Sequence, residues 1–218
     1  MSSKYRIVCF GDSLTWGWNP EDFTRFPEDV RWPGVLQDRL GSEYKIIEEG
    51  QNSRTINCDD PAEGEKNGMK YIIPCIESHY PFDLLIVMLG SNDFKAKFSL
   101  NSLNIMGEMR TFLERVCSHI HFKFFDKVKI LLIAPPHLGD NIENSWLGEM
   151  FDLQEGVRKS KELADRYKIL AEVHHTEFMD AAEYVQASEF DSVHLDAENQ
   201  IRLGEAIAEK VRSILPLN

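Results

Sequence analysis

Several large functional classes leave marks that this chain lacks. Its four cysteines, Cys9, Cys58, Cys75 and Cys117, are widely separated, without the paired spacing that builds a zinc site or a disulfide framework. Cys9 falls inside an apolar strand-like run, where a thiol behaves as a small hydrophobe, so reduced thiols are expected. Basic residues are in deficit: 24 Lys and Arg against 36 Asp and Glu leave a formal charge of -12. That balance argues against a phosphate-backbone binder, whose surface must be basic. No apolar stretch approaches the roughly 20 residues that span a bilayer, and the start of the chain shows neither the apolar core nor the cleavage site of a signal peptide. The expectations are no nucleic-acid partner, no membrane partner and cytoplasmic residence. Repeats and low-complexity segments are also missing. So are G-x-x-x-x-G-K-[ST] and G-x-G-x-x-G after the first strand-like run, which weakens the non-enzymatic alternative, a flavodoxin-like binding module cradling phosphate. His79, His119, His121, His137, His174 and His175 show no metal-ligand spacing, and no metal is expected.

What is present fits one globular domain over residues 1–218, with 43% hydrophobic residues to form its core. Strand-like runs at 6–10, 44–48, 84–89, 128–134 and 177–180 alternate with segments of helical length at 33–40, 69–78, 103–119, 153–170 and 198–215. This alternation predicts a parallel α/β sheet. The continuously apolar 84–89 and 130–133 read as central strands covered on both faces. Pro33 suits a first helical turn and Asp196 an N-cap. Two long irregular segments, 50–68 and 135–145, each follow a strand, and ligands of open α/β sheets bind beyond the carboxyl ends of strands.

The chemistry gathers at those ends. Gly11-Asp12-Ser13-Leu14-Thr15 closes the first strand, Gln51 to Thr55 follow the second, Gly90-Ser91-Asn92-Asp93 closes the third, and Asp191-Ser192-Val193-His194 precedes the last helix. A serine hydroxyl is a weak nucleophile until an imidazole takes its proton, and a carboxylate improves that base by fixing its tautomer and orientation. Ser13, His194 and Asp191 are the candidates for these three roles. Asn92 is the candidate side-chain donor to the oxyanion that such an attack creates.

These blocks resemble the GDSL, or SGNH, hydrolase superfamily. The longer string Cys9 to Trp18, with Asp29-Val30-Arg31-Trp32 and Glu48-Glu49-Gly50, is similar to its arylesterase and acyltransferase branch. The resemblance implies a three-layer α/β/α sandwich with a five-stranded, mostly parallel, flavodoxin-like sheet. It also implies a serine esterase acting through an acyl-enzyme on short acyl or aryl esters, with transfer to alcohols or peroxide as a further outcome. No cofactor is required, and branch relatives assemble into homo-oligomers. Sugar-ester deacetylase and lysophospholipase or thioesterase are the alternative activities on the same site. Carried over, the oxyanion donors are the Ser13 and Ser53 N–H groups and Asn92. Ser53 stands where many members carry Gly, and Gly50 is an alternative match for that block. Trp18, Lys95, Asp12 and Val193 are the candidate substrate contacts. For Asp12 the favoured task is fixing its turn, for Lys95 the other reading is a solvated loop lysine, and for Trp16, Trp18, Trp32 and Trp146 pocket lining competes with core packing. An α/β-hydrolase would carry G-x-S-x-G at the nucleophile, which this chain does not.

Overall fold

A computed structural model describes residues 4–217. Five strands, β1 (Tyr5–Gly11), β2 (Tyr44–Gly50), β3 (Leu84–Met88), β4 (Lys129–Ala134) and β5 (Glu177–Asp180), form one sheet in the order β2-β1-β3-β4-β5. Every pairing is parallel, so the expected mostly parallel sheet is fully parallel. Strand residues alternate faces. Ile7, Cys9, Leu84, Ile86, Met88, Leu131 and Ile133 feed one core, while Val8, Phe10, Leu85, Val87, Ile130 and Leu132 feed the other. Two buried faces explain why β3 reads as an unbroken apolar run.

Helices α2 (Trp32–Leu40) and α6 (Ala197–Ile214) cover the first face, and α3 (Gly68–His79), α4 (Ser102–Phe124) and α5 (Leu153–His174) the second. This is the expected three-layer sandwich. Pro33 occupies the first turn of α2. Asp196 caps α6 by accepting the Asn199 N–H at 2.8 Å. α4 runs five residues past the expected position 119, its last turn held by burial of Ile120 and Phe124 in the core. One short helix, α1 (Ser13–Trp16), follows β1 directly.

The strand order reverses direction between β1 and β3, because the chain leaves β1 toward β2 and later returns to pair β3 on the other side. At such a switch point the loops diverge and leave a crevice beyond the strand ends. The loops after β1 and β3 carry Ser13 and Asn92 into it.

Candidate active site

Ser13 sits at the first position of α1, one residue beyond the N-cap Asp12. The turn is tight by sequence: a Cβ on Gly11 would lie 2.0 Å from Thr15 Oγ1 and 2.9 Å from the Met88 carbonyl. Any larger residue at 11 would push α1 off the strand end. From the far end of the chain, Asp191 and His194 occupy a turn between β5 and α6. The His194 ring places Nε2 2.9 Å from Ser13 Oγ and Nδ1 2.6 Å from Asp191 Oδ2. The other Asp191 oxygen accepts the N–H groups of Val193 at 2.9 Å and His194 at 2.8 Å. Burial pushes the Asp191 carboxyl up, but the His194 ring and these two N–H donors more than offset it and hold the group below the usual carboxylate range. Asp191 is therefore an anion at neutral pH, fully buried, with its charge aimed at the imidazole.

Ser13 and His194 open into a cleft of about 180 Å³. Its polar wall is Asn52, Ser53, Glu63, Asn92 and Lys95; its apolar wall is Trp18, Trp146, Leu147, Met150 and Phe151. The Trp18 ring packs 5.8 Å from the His194 ring, and Trp146 meets Phe23 edge to face at 5.8 Å on the rim. Four larger depressions, of about 350 to 460 Å³, hold no serine hydroxyl hydrogen-bonded to a histidine ring among the described residues. His137 lines one of these with Gly139 and Ser192, away from Ser13.

Ser53 lies in a turn closed by the Arg54 N–H on the Gln51 carbonyl at 3.1 Å, with φ at 64°. That left-handed conformation favours Gly and costs a β-carbon-bearing residue about 1–2 kcal/mol. Lys95 faces this turn, with Nζ 3.4 Å from Ser53 Oγ and 3.2 Å from Glu63 Oε1. Burial pulls the Lys95 pKa below its ordinary value, with Glu63 acting against it. Gly50 has a different task. A Cβ there would lie 2.3 Å from the Trp16 N, so Gly50 lets α1 pack on β2, and it does not line the cleft. Asn92 directs Nδ2 to the Arg54 carbonyl at 3.1 Å and to Asp12 Oδ2 at 3.4 Å. Arg54 is itself buried. Its guanidinium lies 4.2 Å from the Phe10 ring centroid, and Nη1 donates to the carbonyls of Gly11, at 2.8 Å, and Glu49.

The four expected substrate contacts divide. Trp18 and Lys95 line the cleft. Asp12 and Val193 do not. The Asp12 carboxylate is fully buried and accepts the Leu14 N–H at 2.9 Å, so it fixes the turn. The Val193 side chain is buried in the core beside α3, α4 and α5. Burial raises the Asp12 pKa to about 6, against the lowering influence of the Leu14 N–H, His194, Ser91 and Arg54. Glu63, Leu147, Met150 and Phe151 are cleft residues absent from the sequence reading. Each belongs to or follows one of the two long irregular segments, which was the available signal.

Two groups elsewhere bring metal-type donor atoms within 4.8 Å of one another, Glu49 with Cys75 and His79, and Cys58 with Asp93 and Glu108. In the first, His79 Nε2 is already bonded to Glu49 Oε1 at 2.6 Å. Neither group lines the cleft. No helix is long and apolar enough to cross a membrane among the described residues.

Residues 9–208 match the GDSL-like lipase/acylhydrolase family. Among solved structures, the chain is similar to Est24, a carbohydrate acetylesterase from Sinorhizobium meliloti, at 39% identity and TM-score 0.90, covering 97% of this chain and 100% of that one. It is similar to the aryl esterase of M. smegmatis at 40% identity and TM-score 0.89, with coverage of 97% and 100%. A carbohydrate acetylesterase family member from Sinorhizobium meliloti matches at 33% identity and TM-score 0.87, over 98% and 100% of the two chains. No curated protein matches. The serine, histidine and aspartate geometry thus lies in a chain with the SGNH fold that belongs to the GDSL-like lipase/acylhydrolase family and is a carboxylic ester hydrolase.

Proposed function

We propose that the protein is a serine esterase for short acyl esters, with Ser13 as nucleophile, His194 as base and Asp191 as the group that orients His194. One observation carries the reading: the unbroken hydrogen-bonded path from Ser13 Oγ through the His194 ring to Asp191, 2.9 and 2.6 Å long in its two steps. Ser13 attacks the acyl carbon while His194 Nε2 takes its proton. The carbonyl oxygen becomes an oxyanion held by Asn92 and the Ser13 and Ser53 N–H groups. Collapse of this intermediate expels the alcohol, which receives the proton from His194. Water, activated by the same imidazole, then attacks the acyl-enzyme and releases the acid. An alcohol or peroxide in place of water yields a new ester or a peracid. The oxyanion role of Ser53 is supported by its place on the cleft wall and by a φ that turns the backbone there as a Gly would.

The cleft favours a small substrate, since about 180 Å³ is below the roughly 300–1,000 Å³ of sites for drug-sized ligands. Its apolar wall suits an aryl or short acyl group. The polar wall of Asn52, Glu63 and Lys95 suits a hydroxylated alcohol, which favours an acetylated sugar as the second reading, in keeping with the carbohydrate acetylesterases that the chain is similar to. The four cysteines are unpaired, and residence in a reducing cytoplasm is part of the proposal. The test is turnover of aryl acetates and acetylated sugars by wild type and by a folded Ser13→Ala variant, with a competing alcohol present. Loss of all turnover in the variant supports the reading, and the product ratio separates hydrolysis from transfer. Equal turnover in the variant overturns it.

A further inference from the structure

Next to Asn92, two acids meet in the interior, and the reaction above uses neither. Asp93 follows Asn92 in the 3-10 turn Asn92–Phe94 and is fully buried. Glu108 reaches it from the second turn of α4 and is half-buried. Their carboxylate oxygens and Cys58 Sγ lie within 4.8 Å of one another. We propose that Asp93 and Glu108 are a proton-sharing pair that positions the two loops carrying the oxyanion donors. The inference rests on the assignment of Ser53 and Asn92 to that role.

The geometry is a reciprocal cross-link. Asn92 Nδ2 donates to the Arg54 carbonyl at 3.1 Å, while the Ile56 N–H donates to Asp93 Oδ1 at 3.0 Å and Oδ2 at 3.3 Å. Residues 53–56 and 92–93 are therefore tied in both directions. The separation between the Ser53 N–H and the Asn92 amide follows from these bonds. Removing Asp93 would leave the Ile56 N–H buried and unpaired and free one loop to shift against the other.

Glu108 completes the device. A buried carboxylate whose one protein donor is a backbone N–H is costly. Two ionised carboxylates side by side would repel, so the pair retains one proton, and the O–H of one acid donates to the other. Cys58 Sγ donates to Glu108 Oε1 at 3.6 Å. The titratable groups facing the pair are Cys58 from the 51–67 segment, Asp12 from the end of β1 and Tyr167 from α5. Burial raises both acids from their ordinary values, Asp93 well above its own, and Glu108 raises Asp93 further. Loss of the shared proton at alkaline pH places two charges in contact beneath the loops and loosens them.

The measurement is kcat and KM across pH for Asp93→Ala, Asp93→Asn and Glu108→Gln, with folding checked by circular dichroism and Ser13→Ala assayed in parallel. Asp93→Ala is expected to lower kcat roughly 10–100-fold with little change in KM, as a small misplacement of catalytic groups does. Asp93→Asn is expected to restore most of the loss, because its amide accepts from Ile56 and donates to Glu108. In Glu108→Gln a permanent donor replaces the titrating one, and the alkaline fall in kcat moves to higher pH. This profile decides the matter whether or not Asp93→Ala folds. A Glu108→Gln alkaline limb that superimposes on that of wild type, or a folded Asp93→Ala with wild-type kcat, overturns the inference. Activity surviving in Ser13→Ala would instead overturn the underlying reading of the site.

Discussion

At the scale of single residues, the site is a set of charges and donors made specific by burial. Asn92 is expected to lower the barrier by stabilising charge that exists only during the reaction, so Asn92→Ala should cut kcat by roughly 10²–10³. Steady-state kinetics on a short aryl ester checks this, and an unchanged kcat in the folded variant would remove Asn92 from the oxyanion site. Asp12 makes a different prediction. Its folded-state pKa of about 6 lies above that of an unfolded aspartate, near 3.9. Between these values the native state binds more protons than the unfolded one, so this group lowers stability as pH rises from about 4 to about 6. The burial cost is fully present above pH 6, where it amounts to about 2–3 kcal/mol. Asp12→Asn removes the titration, and its stability relative to wild type should improve between pH 4.5 and 7.5. Urea unfolding at the two values tests it. A difference that does not vary with pH would assign the pH dependence to other groups.

At the scale of elements, what had to be explained is how residues far apart in sequence are held within hydrogen-bonding distance. α6 contributes no side chain to the cleft, yet it holds the Ser13 turn in place. Gln200 on α6 accepts the Trp32 N–H of α2 at 2.9 Å and donates to the Leu14 carbonyl of α1 at 3.1 Å. α2 and α6 approach closely because residue 204 is glycine. A Cβ there would lie 2.7 Å from Val35 Cβ and 2.8 Å from the Trp32 carbonyl. Gly204→Ala is therefore expected to destabilise by about 1–3 kcal/mol through overpacking. Denaturant unfolding measures this, and a variant as stable as wild type would show that the helices yield without cost.

Elements of this kind mark where sequence reading stops. The central strands β3 and β4 were legible because two buried faces force apolar runs, and the Asp196 cap because its side chain bonds three residues on. Ser13, Asn92, Asp191 and His194 stood out because each lies at or near a strand end or helix start within a short recognisable string. Gln200, the Arg54 side chain and the Asp93 and Glu108 pair gave no such signal. Gln200 meets Trp32 from 168 residues away and Asp93 meets Ile56 from 37, and no local periodicity records contacts of that range. Asp12 and Val193 were candidate substrate contacts, with fixing its turn the favoured task for Asp12. The Asp12 carboxylate is taken up by its own turn and the Val193 side chain by the core.

At the scale of the whole molecule, the sheet order brings the ends of β1 and β3 together, and the two long segments after β2 and β4 wall the space above them. Cleft volume then becomes a statement about substrate. With about 180 Å³ available, kcat/KM should fall steadily from acetyl or butyryl to decanoyl esters of one alcohol, and a preference for long chains would contradict the shape of the cleft. In the proposed reaction Ser13 carries the acyl group. Its most direct test is acid-quenched mass spectrometry of the enzyme during turnover of an aryl acetate. One acetyl adduct is expected, mapping to the peptide that contains Ser13 and absent from Ser13→Ala. An adduct on another residue, or turnover in the variant at the wild-type rate, would contradict it.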